Sequence, residues 1–313
     1  MKAIGFTEYG GPEVLREVEL PDPVVGPGEV RVRIHAAAVS PTDTLRRTGV
    51  RDDEMRDTPK PWVVGMDFAG ELVEIGPDTD TDLRVGDAVM GIVLPSGTRG
   101  AYAEQIVVTP DSIGRSPAGA THAQAATLPM NGMTARMSLD ALGLTPGQTL
   151  AVTGAAGAYG GYVVQQAKAD GLYVIADAAP KDRELVASFG ADVIVERGPE
   201  VAKNIRAVVP EGVDGLADGA VLDDLVIDAV RDGGHIATVR YYVGEPVRGI
   251  TWHPVRVRYF QREGKRLDEL STLVEQGKVT LRVAGVYPAA QAAEAHRRLE
   301  AGGTRGRLVL AFD

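Results

Sequence analysis

The sequence predicts an α/β protein, with a β-rich first third followed by strands and helices that alternate on a parallel sheet. Three observations carry that prediction. The segment EVRVRIHA sets Val30, Val32 and Ile34 against Arg31, Arg33 and His35, the period of two of a half-buried strand. From about residue 122 the apolar runs LAVTG (150–154), YVIAD (173–177), DVIVE (192–196) and HIATV (235–239) alternate with helical stretches, the rhythm of right-handed β-α-β units. Directly after the first of those runs lies the glycine-rich turn GAAGAYGG at 154–161.

Each element has its own signal. Pro21, Pro23, Gly26, Pro27 and Gly28 mark a turn-rich entry to the strand EVRVRIHA at 29–36,. GELVEIGPD and RVGDAVMGIV read as further short strands, and TPDSIGRSPAGAT at 109–121 separates this region from the next. The later apolar runs suit strands buried on both faces. Between them, helices are expected through Val163, Val164 and Ala167, over KDRELVASFG, and over AVLDDLVIDAVRDGG, with Gly171, Gly190 and Gly233 as stops,. After about residue 260, LDELSTLVEQGK and AAQAAEAHRRLEAGG read as helices and RLVLAF as a closing strand. Periodicity leaves open whether these finish the α/β part or return to the first.

Composition narrows the function. A chain of 313 residues, 44% hydrophobic and 24% charged, has room for two globular domains,. With no cysteine there is no disulfide, thiol nucleophile or cysteine-ligated zinc,. A formal charge of −10 argues against a nucleic-acid partner,. MKAIGFTEYG lacks a signal-peptide core and no apolar run approaches the roughly 18 residues of a membrane span,. The expectation is a soluble, cytoplasmic protein acting on a small molecule, with neither nucleic acid nor membrane as partner.

The turn suggests which small molecule. A pyrophosphate lies against backbone N–H groups at a helix N-terminus, where side chains would hold it off. Gly154, Ala155, Ala156, Gly157, Ala158 and Gly160 keep that approach clear, and Tyr159 is the exception. Its side chain either packs beside the turn or rims a bound cofactor. No Gly-Lys-Ser/Thr follows, which excludes an NTPase phosphate loop,. At the end of the next strand, Asp177 argues for NAD, whereas Lys181 and Arg183 argue for a 2′-phosphate,. The basic pair tips the expectation to NADPH, with NADH possible.

These pieces resemble the medium-chain dehydrogenase/reductase superfamily, and within it the zinc-independent quinone-oxidoreductase-like branch. The resemblance runs nearly end to end: MKAIGFTEYGGPEVLREVELPDP, AAAVSPTDTLRRTG, PWVVGMDFAGELVEIG, TLPMNGMTA, GAAGAYGGYVVQQAKADG and GGTRGRLVL, in that order. It implies a GroES-like β-barrel catalytic domain, over 1–120 and 262–313, and a Rossmann doubly wound parallel-sheet cofactor domain, over 121–261. It also implies a cleft between them and a homodimer. Where zinc members carry Gly-His-Glu, this chain has Gly65-Met66-Asp67, so no zinc is expected and hydride transfer to an enone or quinone fits better than alcohol oxidation.

The resemblance places Ser40, Asp43 and Thr134 near the nicotinamide. Ser40 replaces the usual Asn and is a shorter-reaching donor. Asp43 is either a substrate-side carboxylate or a helix-capping one. Leu45 stands where some relatives carry a tyrosine. Arg240, Tyr241, Tyr242 and Trp252 follow the last Rossmann strand and suit a flat substrate or an interface equally,. The expected activity is NADPH-dependent reduction of quinones or α,β-unsaturated carbonyls. The alternatives are an enoyl-thioester reductase and a cofactor-binding protein of low turnover.

Overall fold

A computed structural model describes residues 1–312, the side chains of Tyr259 and Phe260 aside. The chain divides into two units: Met1–Met130 with Arg258–Glu275 and Leu281–Asp313, and Asn131–Val257 with Gln276–Thr280.

In the first unit the period-two strand is its organiser. Val30–Ala38 buries Val30, Val32 and Ile34 and leaves Arg33 exposed. It pairs antiparallel with Asp67–Ile75, Gln105–Val108 and Arg307–Ala311. The sheet continues through Ala88–Ile92 to Ile113–Arg115, and on the other side Val283–Pro288 runs parallel to Arg307–Ala311. Register shifts at Arg31/Val32 and Ile34/Ala36 bend the central pair, as bulges do where a sheet curls. A three-stranded sheet of Arg16–Glu19, Lys2–Phe6 and Trp62–Val63 completes the unit. Phe6, Trp62, Phe68, Leu72 and Tyr102 fill its core.

The second unit is a six-stranded, all-parallel sheet in the order Val193–Glu196, Tyr173–Ala178, Thr149–Thr153, Val213–Asp218, Val230–Thr238, Thr251–Pro254. This is the doubly wound Rossmann order, and it reverses direction between Thr149–Thr153 and Val213–Asp218. The glycine-rich turn leaves the first of these and so sits at the switch point.

Several elements differ from expectation. AVLDDLVIDAVRDGG is not a helix: Asp223–Ala229 is a 3-10 turn, and Val230–Thr238 is already strand. The Asp218 carboxylate takes the Leu222 and Asp223 N–H groups (2.7 and 2.9 Å) and draws the chain into that tighter turn. Val213–Asp218 and Thr251–Pro254 are unforeseen strands. Asp214, Gly215 and Asp218 interrupt the apolar run of the first. The helix Pro129–Leu142 was read only as a motif; buried Met130, Met133, Met137 and Leu142 hold it.

Candidate functional site

The turn is shaped by how closely the chain approaches itself. Gly154 has φ +66°, and a Cβ there would lie 2.8 Å from the Gly219 carbonyl carbon. A Cβ on Gly160 would stand 2.4 Å from the Gly154 carbonyl oxygen. Gly157 is the N-cap of the helix Ala158–Ala169 and brings no side-chain cap of its own. The positive N-terminus of a twelve-residue helix therefore lies at the switch point, and the glycine-lined turn fits a dinucleotide's diphosphate,.

Tyr159 packs beside the turn. Its hydroxyl lies 2.7 Å from Ser138 Oγ, and Ser138 donates in turn to the Thr134 carbonyl (2.8 Å). Ser138 has one proton, so Tyr159 is the donor to it. The ring rests on Gly219, where an added Cβ would meet Tyr159 Cδ1 at 2.8 Å. Burial pushes the Tyr159 hydroxyl pKa up.

Asp177 braces the turn. It is 3% exposed and its Oδ1 accepts the Ala155 N–H (3.0 Å). Burial raises its carboxyl. Lys181 and Arg183 are exposed beyond the strand end, and Arg183 donates to the Ile194 carbonyl (3.0 Å). Arg197, which the sequence reading passed over, is close enough to act electrostatically on Asp177. Its N–H bonds the Ala178 carbonyl.

In the first unit Ser40 and Asp43 come together. Ser40 caps the helix Pro41–Arg47, and its N–H donates to Asp43 Oδ2 (2.9 Å). Asp43 also accepts the Gly65 N–H (3.1 Å) and the Tyr102 hydroxyl (3.2 Å), with no exposed surface. Burial pushes its carboxyl up to about 6, against the pull of Arg46 and the two backbone donors. Tyr102 lies 3.1 Å from His296 Nε2, and burial holds that imidazole down to about 3. With Asp43 ionised, Tyr102 donates to it and accepts from neutral His296.

The Ser40 hydroxyl is fully buried. It accepts from Arg307 Nη2 (2.8 Å) and faces Met130 Sδ at 3.7 Å. The same Nη2 pairs with Asp67 Oδ2 at 2.7 Å, and Asp67 Oδ1 takes the Met130 N–H (2.6 Å). Burial raises the Asp67 carboxyl while Arg307 opposes the rise. Tyr102, His296 and Arg307 were not singled out from sequence; the only trace was Arg307 inside GGTRGRLVL.

Thr134 belongs to the second unit, half-buried on Pro129–Leu142. In the same unit Tyr242 and Trp252 meet edge to face at 5.5 Å, and Arg256 lies over the Tyr241 ring at 4.6 Å. A hydrogen bond to Asp224 raises the Tyr242 hydroxyl to about 12. Arg240 is exposed, and both it and Tyr241 have positive φ (+62° and +72°). Among the described residues, no group of three or more His, Cys, Asp or Glu side chains converges as a metal site would require.

Comparisons with known proteins agree with this architecture. Residues 26–131 match the alcohol dehydrogenase GroES-like domain family, and residues 189–310 match the zinc-binding dehydrogenase family. The chain is 30% identical to the quinone oxidoreductase of Pseudomonas aeruginosa over 99% of each protein. It is 29% identical to a chloroplastic NADPH-dependent alkenal/one oxidoreductase of Arabidopsis thaliana, over 99% of this chain and 79% of that protein. Among solved structures, an NAD-dependent alcohol dehydrogenase superposes with a TM-score of 0.88 at 30% identity, over all of both chains. The two units thus define a GroES-like domain joined to a Rossmann domain. The chain belongs to the medium-chain dehydrogenase/reductase superfamily.

Proposed function

We propose that the protein is a zinc-independent, NADPH-dependent reductase of α,β-unsaturated carbonyls or quinones. The observation that carries this reading is the glycine-lined turn leading into a helix N-terminus at the Rossmann switch point. The names of the relatives, a quinone oxidoreductase and an alkenal/one oxidoreductase, support the substrate class. When bound, reduced nicotinamide supplies the hydride for an electrophilic carbon.

The chain's own residues supply the rest. Backbone N–H groups of residues 158–160 hold the diphosphate. Lys181, Arg183 and Arg197 stand around the end of Tyr173–Ala178, and Asp177 is spent on the turn, which favours a 2′-phosphate over a free ribose,. Zinc independence is supported by the ligand chemistry: Met66 holds the place of a histidine and the chain has no cysteine,. Asp43, Thr134 and the buried Ser40 are assigned to the reaction side of the cofactor. We further assign the protein to the cytoplasm and to a homodimer.

The test is a paired fluorescence titration with NADPH and NADH, followed by cofactor oxidation with quinones, enones and enoyl thioesters. NADPH is expected to bind at least tenfold more tightly, with turnover on quinones or enones. Equal affinity for NADH would remove the cofactor assignment, and turnover confined to thioesters would replace the substrate class.

A further inference from the structure

A cluster of arginines stands beside the Ser40–Asp43 pair, in the same unit and built from the same helix. Arg46 lies one helical turn beyond Asp43 and is 5% exposed. Its Nη2 pairs with Glu54 Oε2 at 2.8 Å. Glu54 is itself shared: Arg258 reaches its Oε1 at 3.0 Å and Arg51 at 3.6 Å. Three guanidiniums therefore converge on one carboxylate. Arg46 Nε and Nη1 are buried and have no hydrogen-bond partner among the described residues.

That arrangement is costly in the protein alone. A buried donor left unpaired forfeits its hydration, and charged donors lose the most. Asp43 acts on Arg46 through charge, but its hydrogen bonds go to Ser40, Gly65 and Tyr102 and not to Arg46 Nε or Nη1. The missing partner has a definite chemistry: an oxyanion able to accept from a planar guanidinium, the recognition for which arginine is suited. The cluster also runs from buried Arg46 to Arg258, whose side chain is 38% exposed, so its outer end presents a guanidinium to solvent.

We propose that the cluster of Arg46, Glu54 and Arg258 binds an anionic group on the electrophilic substrate, a carboxylate or a phosphate, and so selects acidic over neutral electrophiles. The substrate class rests on the reductase reading above; the anion site does not.

Two measurements keep those apart. The first compares NADPH oxidation by 4-oxopent-2-enoate, by its methyl ester and by a phosphate-bearing enoyl thioester. The acid or the thioester is expected to exceed the ester roughly tenfold in kcat/KM, the worth of one charge-assisted hydrogen bond. Which of the two does so names the anion. In Arg46→Gln and Arg258→Ala that ratio is expected to fall towards one through KM. An ester turned over as well as both anions, or a ratio unmoved by both variants, overturns the proposal. The second is calorimetric titration of the whole protein with 4-oxopentanoate and with inorganic phosphate, which requires no turnover. Binding of either, weakened about tenfold in the more exposed variant Arg258→Ala, supports the site. No binding of either, or affinity unchanged in that variant, overturns it.

Discussion

The phosphate turn and the Ser40–Asp43 cluster are built on opposite plans. The turn is a site made of backbone and of missing side chains: Gly154 and Gly160 are required because other backbone occupies the space a Cβ would fill. The cluster is a site made of side chains, with Asp43, Tyr102 and His296 bonded in one buried set, Asp67 and Arg307 in another, and Ser40 joining the two. In the first, emptiness is what must be preserved. In the second, every polar group depends on a partner far away in sequence, so the loss of one strands another.

That contrast is testable, beginning with its strongest consequence. Arg307→Met leaves the Asp67 carboxylate buried without its cation. We expect a loss of about 3–5 kcal/mol in urea unfolding, the cost of breaking a buried pair from one side. A loss below 1 kcal/mol would mean that the cluster does not hold its members together.

The next consequence concerns pH. The Asp43 carboxyl is raised from 3.8 to about 6, so the native state takes up its proton first. The stabilisation from this group is complete below pH 3.8 and disappears as pH rises through 6. His296 is lowered from 6.5 to about 3, so its contribution is present above 6.5 and is lost as pH falls towards 3. Between pH 4 and 6 the two slopes oppose each other. In Asp43→Asn only the histidine slope remains, and stability is expected to fall with acid by up to about 1.4 kcal/mol per pH unit more than in the parent. Parallel urea-unfolding profiles of the two proteins from pH 4.5 to 6.5 would refute this opposition.

The smallest effect belongs to the turn. Tyr159→Phe removes one hydrogen bond to Ser138, and Ser138 keeps its bond to the Thr134 carbonyl. A stability loss of about 1 kcal/mol is expected, with NADPH affinity changed less than threefold. A tenfold loss of affinity would make the turn as dependent on side chains as the cluster is.

The same contrast explains what was legible in the sequence. The strand at 30–38 and the turn at 154–161 are local patterns, so alternation and glycine spacing announced them. Tyr102 and Arg307 are separated from Asp43 and Ser40 by 59 and 267 residues, and nothing in their neighbours' composition signals a buried role. Asp177 shows a subtler gap. Its place at a strand end was readable, but its carboxylate turns back to the Ala155 N–H, a choice made by the fold of the turn. The helix expected over AVLDDLVIDAVRDGG failed for a related reason. Helical spacing was present, but the long-range pairing of Val230 with Val213 and the grip of Asp218 on two N–H groups override it.

The strand Arg307–Ala311 carries a consequence for biosynthesis. It pairs with Val30–Ala38 on one side and with Val283–Pro288 on the other, and Phe312 then bonds back to His35. On the ribosome, the Rossmann unit has all its residues once Thr280 has emerged. The Ala36–Ala38 end of Val30–Ala38 keeps one edge bare until Arg307–Ala311 has been made, the kind of open edge on which nascent chains aggregate. The sheet begun at Val30–Ala38 therefore closes only after almost three hundred further residues have been added.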